Sequence, residues 1–76
     1  MIVVWTQPGC GPCYALKAAL KAGGVPFDER DAASADADTL AGWRAKGWTT
    51  PVVEHPGGTF SGFDPAKVRA LRDARR

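Results

Sequence analysis

Cys10 and Cys13 are the only cysteines in the chain, and they stand three residues apart around Gly11-Pro12. Thiols at that spacing have two chemistries open to them, thiol-disulfide exchange and metal ligation. A structural zinc site usually takes four ligands, whereas this chain has no second cysteine pair and its lone His55 stands far along the sequence beside a turn. Two unreactive buried thiols are a third reading. Gly11-Pro12 argues against it, because proline near the first helical position makes a tight turn into a helix. On a first helical turn, side chains three apart share a face and can close a disulfide. The unpaired N–H groups and the helix dipole there favour a thiolate on the first cysteine. A free thiol titrates near ~8.5, and such a setting commonly lowers that toward ~7. Cys10 is therefore expected to be the nucleophile, and Cys13, one turn in and shielded, the thiol that resolves the mixed disulfide.

The dithiol needs a strand before it and a helix after it, and the sequence supplies both. Ile2-Val3-Val4-Trp5 is a short apolar run, β-branched and aromatic, which predicts a central strand buried on both faces with Trp5 in the core. It ends at Thr6-Gln7-Pro8-Gly9. Cys13, Leu16 and Leu20 then recur at helical spacing, with Lys17 and Lys21 on another face, until Gly23-Gly24 stops the helix. A more polar strand near Phe27 to Asp31 suits a sheet edge, with Pro26 at its beginning. A second helix starts at about Asp36, capped by Asp36 or Ser34, with Leu40 and Trp43 as its apolar side and Gly47 as its end. Pro51-Val52-Val53 begins a third strand, Pro56-Gly57-Gly58 is a turn, and Thr59-Phe60 is the centre of a fourth strand, joined to the third as a hairpin. Asp64-Pro65 then reads as an N-cap and first helical residue, with Val68 and Leu71 facing inward. The order β-α-β-α-β-β-α implies a right-handed βαβ unit completed by a hairpin: an α/β fold with a four-stranded mixed sheet flanked by three helices.

Composition excludes other classes. With 76 residues the chain has room for one small domain over 1–76, and 45% hydrophobic with 24% charged residues is an ordinary globular balance. A net charge of +2 gives nucleic acid no special claim as partner. The longest apolar stretch, Met1 to Trp5, is far short of the ~20 residues a membrane span needs, and no signal-peptide pattern stands out. A cytoplasmic protein that is a monomer is expected. Arg69, Arg72, Arg75 and Arg76 read as the solvated, dipole-favoured end of the last helix. Trp48, Gln7 and Tyr14 are candidates for contact with a substrate.

The chain resembles the NrdH-type redoxins, small glutaredoxin-like proteins of the thioredoxin fold. The likeness rests on Cys10-Gly11-Pro12-Cys13, on Thr50-Pro51-Val52-Val53, and on Ser61-Gly62-Phe63 with Pro65. It implies a cis Thr50-Pro51 bond facing the dithiol, with the Thr50 backbone open to an extended substrate, and it adds Gly11, Pro12, Ser61, Gly62 and Phe63 to the substrate-facing residues. It also implies a dithiol-disulfide oxidoreductase with no bound cofactor and no metal, only the redox-active Cys10–Cys13 disulfide. Electrons would come from thioredoxin reductase and pass to ribonucleotide reductase or another protein disulfide. Three features depart from the pattern: Asp64 stands where a basic residue is usual, Phe60 where Trp is common, and Gly-Pro between the cysteines is more typical of thioredoxins. Two alternatives stay open: a glutathione-dependent glutaredoxin, in which Asp64 accepts the glutathione amine, and a non-catalytic module holding a metal or cluster through Cys10.

Overall fold

The computed structural model describes residues 2–74 of the chain; Met1 of the first apolar run and Arg75 and Arg76 of the arginine group lie outside the described residues. The elements are β1 (Val3–Thr6), α1 (Gly11–Ala22), β2 (Asp28–Asp31), a 3-10 turn (Ala32–Ser34), α2 (Ala37–Ala45), β3 (Val52–His55), β4 (Gly58–Ser61) and α3 (Pro65–Asp73). They build one mixed sheet in the order β2-β1-β3-β4. β1 and β2 run parallel with Val4 opposite Glu29, while β3 lies antiparallel to both β1 and β4. The β-α-β topology and the charged edge strand β2 are as the sequence implies.

The register lines up Val4, Val53 and Phe60 across three adjacent strands, which sets one apolar row on one face of the sheet. Leu16 and Leu20 of α1 and Val68 and Leu71 of α3 close over that row, with Ile2 and Val25 at its margin. All of these are buried, and they form the hydrophobic core.

The opposite face is covered more thinly, and here the sequence reading needs correction. β1 is not buried on both sides: Val4 and Thr6 are buried, but Val3 and Trp5 are only half-buried. Trp5 is therefore not a core residue. Its ring meets Trp43 of α2 edge-on at 5.6 Å, its indole N–H donates to the Glu54 carboxylate, and the Arg30 guanidinium lies 5.8 Å from its centre. The cause lies in α2, whose sequence Ala37-Asp38-Thr39-Leu40-Ala41-Gly42-Trp43-Arg44-Ala45 offers two large apolar side chains, and no residue of it is fully buried.

Side-chain caps set the helix starts. The Asp36 carboxylate accepts from Thr39 N–H at 2.7 Å, which identifies the cap of α2. Ser34, the other candidate, instead donates its hydroxyl to the Asp31 carbonyl at 2.7 Å within the 3-10 turn, an element too short to leave a periodic signal. Asp64 Oδ1 accepts from Ala66 N–H at 2.9 Å, and Pro65 occupies the first position of α3, as expected.

Candidate active site

β1 ends at Thr6, a turn follows in which Gly9 takes φ +74°, and the chain then enters α1 with Cys10 as its N-cap. A left-handed φ of that kind suits glycine and turns the chain sharply out of the sheet. Gly11 and Pro12 are exposed on the first turn of α1, and Cys13 follows them on the inward face. Cys10 and Cys13 are joined as a disulfide, with their α-carbons 5.2 Å apart. Both cysteines are buried, Cys10 slightly less so: as whole residues they are 7% and 1% exposed.

Three contacts converge on Cys10 Sγ. The Cys13 N–H donates to it at 3.1 Å, so the sulfur itself caps the helix. The Thr50 hydroxyl donates to it at 3.6 Å, and the Thr50 carbonyl oxygen lies at the same distance of 3.6 Å. Thr50-Pro51 is a cis peptide bond, as the resemblance implies, and Pro51 is fully buried. Thr50 precedes the first paired residue of β3, Val52, and so sits just beyond the end of the ladder.

The loop carrying Thr50 is tied to the end of β4. The Ser61 hydroxyl accepts from Thr49 N–H at 3.2 Å and donates to the Thr49 carbonyl at 2.6 Å. Gly62 N–H donates to the Pro51 carbonyl at 2.8 Å, and Gly62 takes φ +89°, a value that a side chain would strain. The hydroxyl of Ser61 thus serves the protein's own backbone, Gly62 braces Pro51, and Phe63 stands 38% exposed beside them. One oxygen of Asp64 is engaged by its helix cap. Trp48 is half-buried, with its N–H donating to the Trp43 carbonyl at 2.9 Å and the Lys46 ammonium 4.4 Å from its ring.

On the Cys13 side a shallow pocket of about 450 Å³ is lined by Gln7, Tyr14 and Cys13 together with Thr6, Lys17 and Glu29. Tyr14 is 59% exposed, and the Lys17 ammonium lies 5.0 Å from its ring. Glu29 Oε2 accepts from both Lys17 Nζ at 2.8 Å and the buried Thr6 hydroxyl at 2.9 Å. The sequence reading did not single out this trio. Lys17 could have been found, because it stands three residues after Tyr14, one turn further along α1. Glu29 could not, because only the parallel register of β2 on β1 brings it there.

Those hydrogen bonds, Lys17 first and Thr6 second, hold the Glu29 carboxyl below its usual value, and the Thr39 backbone N–H does the same for Asp36. A carboxyl lowered in the folded state adds stability that is present above its unfolded value and lost as pH falls through the folded one. Thermal melts are therefore expected to shift downward on acidification below roughly pH 5. Glu29→Gln should flatten that dependence in part. The pair is solvent-screened, so Glu29 accounts for at most about 1 kcal/mol. An acid limb unchanged in Glu29→Gln would show that the pair contributes nothing.

No group of three or more His, Cys, Asp or Glu side chains among the described residues is arranged to hold a metal ion. What the geometry does offer is a Cys10–Cys13 disulfide at a helix start, with two hydrogen-bond donors directed at Cys10 Sγ. That is the equipment of a thiol-disulfide oxidoreductase.

Known proteins agree. The chain is similar over 92% of its length to NrdH-redoxin from Escherichia coli, a glutaredoxin-like protein with a thioredoxin-like activity profile, at 28% identity and a TM-score of 0.77, covering 92% of that chain. It is also similar to a crystallised thioredoxin-like protein, at 32% identity and a TM-score of 0.73, over 93% of this chain and 99% of that one. A glutaredoxin from Brucella melitensis shares 27% identity with a TM-score of 0.67, over 96% of this chain and 78% of the other. No curated protein sequence matches the chain significantly. The sequence model of the glutaredoxin family matches residues 2–55. That stretch runs from β1 through the dithiol and the cis proline to the end of β3, well over half the chain, and the protein therefore belongs to the glutaredoxin family as a small thioredoxin-fold member related to NrdH-redoxin.

Proposed function

We propose that the protein passes two electrons from its reduced dithiol to disulfides in other proteins, as a single domain over 1–76. The observation that carries this reading is the Cys10–Cys13 disulfide at the start of α1, with the Cys13 N–H and the Thr50 hydroxyl both directed at Cys10 Sγ. In the reduced protein the Cys10 thiolate attacks one sulfur of the target disulfide, forming a mixed disulfide and releasing a target thiolate. The Cys13 thiolate then attacks Cys10 Sγ, closing Cys10–Cys13 and releasing the second target thiolate, which takes up a proton. The target is reduced by two electrons and the redoxin oxidised by two. The Cys13 N–H and the Thr50 hydroxyl, already directed at Cys10 Sγ, are the donors that would stabilise a thiolate there. Thr50, beyond the end of the ladder, offers its backbone to an extended target segment in the manner of an added strand. Gly11, Pro12, Gly62 and Phe63 border that path, and Ser61 holds it in place.

Thioredoxin reductase is the electron source this reading favours, with ribonucleotide reductase as the first target to test and the reducing cytoplasm as the compartment for a monomer with such a dithiol. Support comes from Ser61 and Asp64: the Ser61 hydroxyl and one oxygen of Asp64 are engaged by the protein's own backbone, which leaves fewer free groups for glutathione. The likeness to a redoxin with a thioredoxin-like profile points the same way. The competing reading, a glutathione-dependent enzyme, draws on the second carboxylate oxygen of Asp64. NADPH consumption with a disulfide substrate, coupled in parallel to thioredoxin reductase and to glutathione with glutathione reductase, decides between them. Turnover is expected with thioredoxin reductase and at least about tenfold slower with glutathione, a difference of 1.4 kcal/mol in activation free energy. The reverse ratio would overturn the reading.

A further inference from the structure

At the end of the sheet away from the dithiol, a groove of about 880 Å³ opens between α3 and the β3–β4 turn. Its floor is the back of the core, Ile2, Phe60 and Leu71, at 8%, 6% and 6% exposure. The groove stays open because its walls are small: Ala70 and Ala74 on α3, and Gly57-Gly58 in the turn. Among the described residues no Asp or Glu lines it. Its rim instead carries Lys67, whose ammonium lies 4.9 Å from the centre of the Phe60 ring, and His55, whose ring meets Phe60 edge-on at 5.7 Å. Lys67 has no ion-pair partner among the described residues.

We propose that this groove binds a small amphipathic anion, a medium-chain carboxylate, with its tail along Ile2, Phe60 and Leu71 and its charge at Lys67. The volume falls within the roughly 300–1,000 Å³ of small-molecule sites, and an apolar trough with a few placed polar groups is the usual design of such sites. Charge complementarity selects the headgroup. Lys67 has no ion pair among the described residues and the described lining holds no Asp or Glu, so the rim attracts a negative charge and disfavours a cationic one. The site is separate from the redox chemistry: Ile2 precedes β1 and the dithiol follows its far end, and four strand residues span roughly 13 Å. The inference therefore does not rest on the proposed partners of the dithiol.

The test uses the oxidised full chain, labelled with nitrogen-15 and titrated with decanoate below its micelle concentration, with decanol as the uncharged control. Saturable amide shifts are expected at Phe60, Lys67, Ala70 and Leu71 and not at Cys10 to Tyr14, with decanoate at least fivefold tighter than decanol. Ala70→Leu fills the groove at an exposed helical position where leucine is well tolerated, and it should abolish the shifts while leaving disulfide reduction unchanged. Lys67→Gln should weaken decanoate several-fold and leave decanol as it was. Absence of saturable shifts up to millimolar decanoate would overturn the proposal, as would equal binding of acid and alcohol or shifts that survive Ala70→Leu. Shifts at the groove that depend on protein concentration without ligand would also overturn it, in favour of a second copy of the chain as the occupant.

Discussion

Cys13→Ser is expected to stop turnover of protein disulfides and to leave the protein caught on its target as a mixed disulfide through Cys10. The reasoning is geometric. Cys10 keeps its exposure and both of its hydrogen-bond donors in this variant, because one donor is the backbone N–H of residue 13 and the other the Thr50 hydroxyl. Attack proceeds, and the second step has no thiol to perform it. Cys10→Ser removes the reacting sulfur itself, so neither the mixed disulfide nor turnover should form, while a serine oxygen can still cap α1. In a coupled NADPH assay both variants should fall by a factor of about 10³ or more, and mass spectrometry of a target mixture should find the adduct only with Cys13→Ser. If Cys13→Ser instead retained full activity toward glutathione mixed disulfides with a glutathione supply, the single-thiol glutaredoxin mechanism would be the correct one. An adduct through residue 13 in Cys10→Ser would reverse the assignment of the two roles.

The second large effect concerns stability. Leu16 is fully buried at the centre of the core, against the row set by Val4, Val53 and Phe60. Truncation to Ala there removes contacts that the close-packed surroundings cannot replace, at a cost of about 2–5 kcal/mol. A chain of this size is stabilised by only about 4–11 kcal/mol in total, so Leu16→Ala should unfold at markedly lower urea and lose much of its population near its melting range. Leu40→Ala, on the thinly covered face, should cost about 1 kcal/mol or less, since its side chain is only half-buried. Equal losses in the two variants would contradict the asymmetry of the two faces.

Much of this architecture was legible because local signals agreed with one another. Asp64-Pro65 marked the start of α3 by chemistry that depends on no neighbour, and Pro56-Gly57-Gly58 placed the turn within a residue. The dithiol was legible because its spacing, its proline and the apolar run before it all imply the same strand-turn-helix context. Trp5 reads as core because an apolar run cannot report how much material covers each of its faces; that depends on α2, whose only large apolar side chains are Leu40 and Trp43. Glu29 escaped notice because strand register is a long-range property, and a charged residue in a strand rich in charge carries no mark of its own. Ser61 was expected to meet substrate. Its double hydrogen bond to Thr49 joins the end of β4 to a loop twelve residues earlier in sequence, which no local pattern encodes.

The unequal covering of the sheet divides the molecule into two parts with different resistance to local opening. α1 and α3 are fastened by buried leucines and a valine, whereas α2 buries no residue fully and meets the sheet at the edge contact of Trp43 with Trp5. Segments with few buried apolar contacts open at a free energy well below that of global unfolding. The second helix can therefore detach and return while the strand, turn and helix around the two sulfurs remain folded. Its backbone amides are therefore expected to exchange with solvent before those of α1 and α3, which hydrogen-exchange mass spectrometry would check; equal protection of the three helices would contradict this.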